Sequence, residues 1–194
     1  MKKAVTVIKK TFVIISVIWT TITLGLVGFL AFSGPSSCSI DDLDEENVSQ
    51  ATGDLPDFVL ESIDSETTFT NESIAGTYTL LYFWGTSCGI CVKEMPYLYE
   101  TYTELQDRNF RVIAVSYDPS EEKVREFKED YPMPWNHSVV GSDREKMQKL
   151  FRSFEVSGVP HKILVSPEGK ILEDMEGFSG DELYAMIDNH LPSS

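Results

Sequence analysis

Apolar residues are distributed along the chain in three distinct ways. From Thr11 to Phe32 they form a run of 22 residues without a charge. Residues 33–54, SGPSSCSIDDLDEENVSQATGD, then carry almost no large apolar side chain. From residue 55 onward, continuous apolar runs alternate with stretches of helical period. Phe58-Val59-Leu60 and Thr67-Thr68-Phe69 flank Asp64-Ser65-Glu66 and predict a hairpin. Tyr78 to Trp84 and Phe110 to Tyr117 are continuous and β-rich, as buried central strands are. Between them Cys91, Met95, Leu98, Tyr102 and Leu105 recur at three- and four-residue steps, which predicts a helix from Cys88 to about Arg108.

The second half follows the same logic. Asp118-Pro119-Ser120 opens a polar helix that runs to Tyr131, and Pro132-Met133-Pro134 ends it. His137 to Val140 is a short strand and Asp143 to Phe154 a helix. Ser142 and Glu145 are spaced as a capping box, and Ser179 and Glu182 repeat the device before the last helix. His161 to Ser166 and Lys170 to Glu176 are strands joined by Pro167-Glu168-Gly169, an antiparallel hairpin. This order of elements predicts an α/β sandwich whose central mixed sheet is covered by helices on both faces, with an N-terminal hairpin and a central strand-helix insertion.

The segments before residue 55 predict location. As a helix, the uncharged run spans about 33 Å, against a hydrocarbon core of about 30 Å, so residues 1–32 read as a signal anchor. Lys2, Lys3, Lys9 and Lys10 precede the run and Asp41, Asp42, Asp44, Glu45 and Glu46 follow it, which keeps the N-terminus cytoplasmic. Residues 33–54 are then a flexible acidic linker, and residues 55–194 a domain outside the cell membrane, in a periplasm where the host has one. Two other fates of the N-terminus stay open: cleavage at the small-x-small site Ala31-Phe32-Ser33, and lipidation of Cys38. Ser37 suits lipidation, whereas Pro35 stands where an aliphatic residue is usual.

Charge narrows the range of partners. All 31 acidic residues but only 12 of the 16 basic ones follow the uncharged run, a formal charge of −19 on the exported part. Nucleic acid and anionic lipid surfaces are excluded as partners on that ground.

Two of the three cysteines, Cys88 and Cys91, lie three residues apart where the apolar strand gives way to the helix. A helix N-terminus carries partial positive charge and free N–H groups, so it stabilises a thiolate at Cys88. Cys91, one turn on, is placed to attack a mixed disulfide held on Cys88. Zinc is a poor alternative because no second paired set of ligands accompanies the cysteines. A structural disulfide across so short a loop would constrain the unfolded chain little.

With Phe83-Trp84 before the pair, Cys88-Gly89-Ile90-Cys91 itself, Pro96 within the helix and Gly158-Val159-Pro160 opening a late strand, residues 55–191 resemble the thioredoxin superfamily. Within it they resemble the membrane-tethered, extracytoplasmic TlpA/ResA-type thiol:disulfide oxidoreductases. The resemblance implies a redox-active Cys88–Cys91 disulfide, no cofactor and no metal. It further implies a cis peptide before Pro160, a substrate-binding surface at Trp84, Val159 and Pro160, and a catalytic role for Glu94. That glutamate would tune the thiols by its charge or take a proton from Cys91; as a plain helix residue it would be exposed. The implied partners are protein disulfides, such as a cysteine pair on an apocytochrome c in cytochrome c maturation, and a membrane thiol-electron transporter as the source of electrons.

Three departures from that family's pattern stand out. Tyr82 occupies the place of a buried aspartate in cytosolic thioredoxins, Ser87 replaces a tryptophan before the first cysteine, and Gly-Ile replaces Gly-Pro between the cysteines. The reaction class therefore transfers, but the redox potential and the direction of electron flow do not. Two further functions are carried as alternatives. A peroxiredoxin-like peroxidase would have threonine where this chain has Gly85, and a copper-binding module would use Cys88, Cys91 and His161. His161, next to Pro160, would lower the Cys88 pKa if its ring faced the pair as an imidazolium, and would do nothing from the strand surface.

Overall fold

The computed structural model describes residues 53–192. The predicted anchor over residues 1–32, most of the predicted linker and Cys38 lie outside the described residues. Among the described residues, eight strands and five helices follow in order: β1 (Gly53–Asp54), β2 (Val59–Glu61), β3 (Thr68–Thr70), α1 (Asn71–Ile74), β4 (Tyr78–Trp84), α2 (Gly89–Leu105), β5 (Phe110–Ser116), α3 (Glu121–Asp130), β6 (Asn136–Val139), α4 (Arg144–Ser153), β7 (His161–Val165), β8 (Lys170–Glu176) and α5 (Glu182–Asp188).

The central sheet has six strands in the order β1-β8-β7-β4-β5-β6, and β2 pairs with β3 in a separate hairpin. Strands β4, β5 and β6 run parallel, and β7 and β8 turn back antiparallel to them. The mixed sheet expected from the order of elements is therefore present. Gly53 and Asp54, which the sequence assigns to the linker, pair with Ile171 and Lys170.

Alternation along β4 decides which side chain belongs to which face. Leu80, Tyr82 and Trp84 point into one core with Met95, Leu98 and Leu105 of α2, Val124 of α3 and Leu183 and Ile187 of α5. Leu81 and Phe83 point into the other, with Phe58, Leu60, Phe69, Ile74 and Phe154. The run LLYFW is buried throughout because both faces of the strand are covered.

Two capping expectations are corrected. Asp143, not Ser142, caps α4, its Oδ1 accepting from the N–H groups of Glu145 and Lys146 at 3.1 Å each. Asp181 is the N-cap of α5 and makes no capping bond with its side chain. Ser179 is engaged elsewhere, as described below. The capping box that does form is at α1, which periodicity did not predict because one helical turn shows no period. There Thr70 and Ser73 each satisfy the other's backbone N–H.

Candidate active site

Strand β4 ends at Trp84, and after three intervening residues the chain enters α2 with Cys88 as its N-cap. Cys88 is partly exposed, whereas Cys91 is fully buried. The two form a disulfide with 5.2 Å between Cα atoms. The Cys88 sulfur accepts a hydrogen bond from the Cys91 N–H at 3.1 Å. This is one of the free N–H groups of a helix start, and it favours negative charge on that sulfur once the disulfide is reduced.

The approach to the pair is held by a carboxylate that the sequence reading assigned only to a helix start. Asp118, nearly inaccessible, accepts from the Thr86 N–H at 2.8 Å and the Thr86 hydroxyl at 2.7 Å, and from the Ser116 hydroxyl at 2.7 Å. It thereby fixes Thr86, two residues ahead of Cys88, to the end of β5. Beside it, the Ser87 and Tyr117 hydroxyls lie 3.0 Å apart. The Tyr117 ring also fills the space over Gly85, where a Cβ would come within 2.3 Å of it.

The Val159–Pro160 peptide is cis, as expected from the resemblance. The Val159 carbonyl oxygen lies 3.7 Å from the Cys88 sulfur, so the turn before β7 and the exposed cysteine share one surface. Ile90 and Phe178, two of the large exposed apolar side chains, lie one residue from Cys91 and from Gly177 respectively. Cys88, Val159 and Pro160 thus come together. Trp84 does not join them: it is fully buried, packed against Phe127 and His137 with ring centroids at 5.4 and 5.9 Å. The expectation that Trp84 binds substrate is corrected for that reason.

Glu94 lies one turn beyond Cys91 and is fully buried, which corrects the exposed-helix reading. Its Oε1 accepts from Lys162 Nζ at 2.8 Å, from the Ser179 N–H at 2.7 Å and from the Ser179 hydroxyl at 2.8 Å. Its Oε2 lies 3.0 Å from the same ammonium, which also donates to the Gly177 carbonyl. Sequence reasoning missed Lys162 and Ser179. The one signal for Lys162 was a charge at the second position of the otherwise apolar strand HKILV. Burial pushes the Lys162 ammonium below its usual pKa, and Glu94 opposes that shift. Tyr82, opposite Lys162 in the β4–β7 register, brings its hydroxyl to 3.4 Å from the Cys91 carbonyl. Burial first, and Glu94 second, hold its phenol well above the ordinary value, so it remains a donor.

His161 is turned away from this cluster. It pairs with Phe83 across the sheet, its ring is edge-on to that phenylalanine at 6.1 Å, and its Nε2 is 2.7 Å from Asp174. Phe83 belongs to the core opposite Cys91. Both earlier readings of His161 fail: it is neither an imidazolium over the cysteines nor an exposed strand residue.

The geometry is that of a dithiol exchange centre, with one reachable sulfur, one sheltered sulfur and the Val159 carbonyl beside the first. Comparisons with known proteins agree. Residues 52–173 match the AhpC/TSA family. The thiol-disulfide oxidoreductase ResA of Bacillus anthracis is 28% identical over 169 residues, 87% of this chain and 90% of that protein. The ResA of Bacillus subtilis is 29% identical over 133 residues, 69% and 70% of the two chains. Among solved structures, the thioredoxin domain of a thiol-disulfide oxidoreductase from Bacteroides vulgatus superposes with a TM-score of 0.66 at 29% identity, covering 74% of this chain and 99% of that one. A thiol:disulfide interchange protein from Bacteroides sp. gives 0.64 at 31% identity, covering 74% and 91%.

Proposed function

The chain belongs to the AhpC/TSA family and is a thioredoxin-fold thiol:disulfide oxidoreductase of the TlpA/ResA type, and from that premise we propose that it reduces protein disulfides outside the cytoplasm. The observation that carries the exchange chemistry is the difference between its two sulfurs: Cys88 partly exposed beside the Val159 carbonyl, Cys91 fully buried one turn away. Cys88, as thiolate, attacks a client disulfide, one client sulfur leaves, and Cys88 holds the other. Cys91 then displaces the client and closes the Cys88–Cys91 disulfide, so the client gains two electrons and the pair loses two.

The Val159 carbonyl and the cis turn supply an edge to which an extended client segment can add by main-chain hydrogen bonds, while Ile90 and Phe178 supply apolar contact. Location rests on the uncharged run over residues 11–32 and its basic flank, and no helix among the described residues is long and apolar enough to cross a membrane. In an oxidising compartment a reductant has to be recharged. We assign that role to a membrane thiol-electron transporter, and the client to a cysteine pair on an exported protein such as an apocytochrome c.

The two alternative functions lose ground on specific contacts. A threonine at position 85, as a peroxidase of this fold would carry, has to displace the Tyr117 ring. The copper trio is not assembled, because His161 faces the core opposite Cys91. Direction is tested by the reduction potential of the full-length chain in glutathione and dithiothreitol buffers, read by mass after alkylation of Cys88 and Cys91. A reductant is expected well below about −220 mV, and a value near −120 mV, that of a strong oxidant, overturns the assigned direction.

A further inference from the structure

Lys162 is a buried ionisable group that disulfide exchange does not itself require. It is fully inaccessible, and Nζ has Glu94 Oε1, Glu94 Oε2 and the Gly177 carbonyl as acceptors, enough for the three N–H bonds of an ammonium. Such a pair is seldom more stabilising than apolar residues of the same volume. Stability therefore does not account for a lysine at the second position of HKILV. What the pair does hold is position: it ties α2, β7 and the segment before α5 together immediately beneath Cys91.

Resting on the exchange reading above, we propose that Lys162 is a positioning residue for the resolving step: it fixes the Glu94 carboxylate one turn below Cys91 and cancels its charge. Residues three apart on a helix have Cβ atoms about 5–6 Å apart, close enough for a carboxylate to matter to a thiol. A lone carboxylate there opposes ionisation of Cys91, and a lone ammonium favours it. Together they leave the thiol in a nearly neutral field, with Tyr82 from β4 and Ser179 from the segment before α5 completing the polar surroundings. In the step itself the Cys91 thiol releases its proton and the thiolate attacks the Cys88 sulfur. The Cys88–client bond breaks as the Cys88–Cys91 bond forms, and the client departs as a thiolate.

The test uses the reduced full-length chain with Cys38→Ser and a chromogenic aromatic disulfide in stopped flow. One aromatic thiolate is released when Cys88 attacks and a second when Cys91 resolves, so the second phase isolates the step. Lys162→Met is expected to move the pH midpoint of that phase up by about one unit, roughly tenfold slower below the midpoint. Glu94→Gln is expected to move it down by a similar amount. The double variant should return to within about threefold of the unsubstituted rate. A purely structural role would slow both single variants alike, and that result overturns the proposal. If Lys162→Met does not fold, Glu94→Gln and the double variant decide alone: identical pH profiles for those two overturn it. Loss of the second phase from the unsubstituted chain would instead overturn the exchange reading.

Discussion

Cys88 and Cys91 are chemically the same residue placed in two environments, and their division of labour follows from access. A client can reach only the partly exposed sulfur, so Cys91→Ser is expected to accumulate mixed disulfides on Cys88, and Cys88→Ser to accumulate none. Non-reducing electrophoresis followed by mass spectrometry checks this, and equal trapping by both variants would contradict the assignment. Asp118 presents a second residue-scale case. Its carboxylate accepts three hydrogen bonds while nearly inaccessible, and removing a buried acceptor leaves each donor unpaired. Asp118→Ala is expected to cost about 2–3 kcal/mol in urea unfolding and to slow attack by Cys88, since Thr86 loses its anchor. Both residues of the redox pair were legible in the sequence, because spacing and position at a strand-helix junction are local features. Asp118, Lys162 and Ser179 were not, because their partners lie 32, 68 and 85 residues away. A charge inside a strand reads as a solvent-facing position until its partner is known.

At the scale of elements, the strands and long helices were read to within a few residues, since buried strands and three-turn helices repeat their pattern often enough to show a period. Errors gathered at the ends. Ser142 and Asp143 are adjacent candidates for one cap, and only backbone geometry chooses between them. Asp143→Ala is accordingly expected to destabilise the fold by about 1 kcal/mol and Ser142→Ala by a few tenths at most, compared by thermal unfolding. At α5, the serine with the right spacing for a cap is spent on Glu94 instead. Long-range demand thus overrode a local signal. The turn before Pro160 shows the opposite case, in which resemblance alone identified a cis peptide that the dipeptide Val-Pro could not reveal.

At the scale of the whole molecule, one buried group, His137, ties the stability of the fold to pH. His137 is fully buried between the rings of Trp135 and Trp84. Burial first, then Lys128, push its imidazole down to about 3, against the opposing pull of Asp64. An unfolded histidine titrates near 6.5. The folded pKa is the lower one, so the stabilisation is complete above about pH 6.5 and drains away as pH falls from there toward 3, by about 1.4 kcal/mol per unit. Between pH 6.5 and 5.0 the unsubstituted chain should lose about 1.6 kcal/mol more than His137→Leu in paired urea titrations. Equal losses would show that another group governs acid sensitivity.

The sheet also divides the molecule into two cores, and the buried cysteine belongs to only one of them. The layer built from the β2–β3 hairpin, Phe83, Phe151 and Phe154 shares Val159 with the redox half and is otherwise a chassis that can be refitted. An affinity handle, a fluorophore or a stabilising graft belongs on that far side, where it can report or immobilise the protein with the least disturbance to electron exchange.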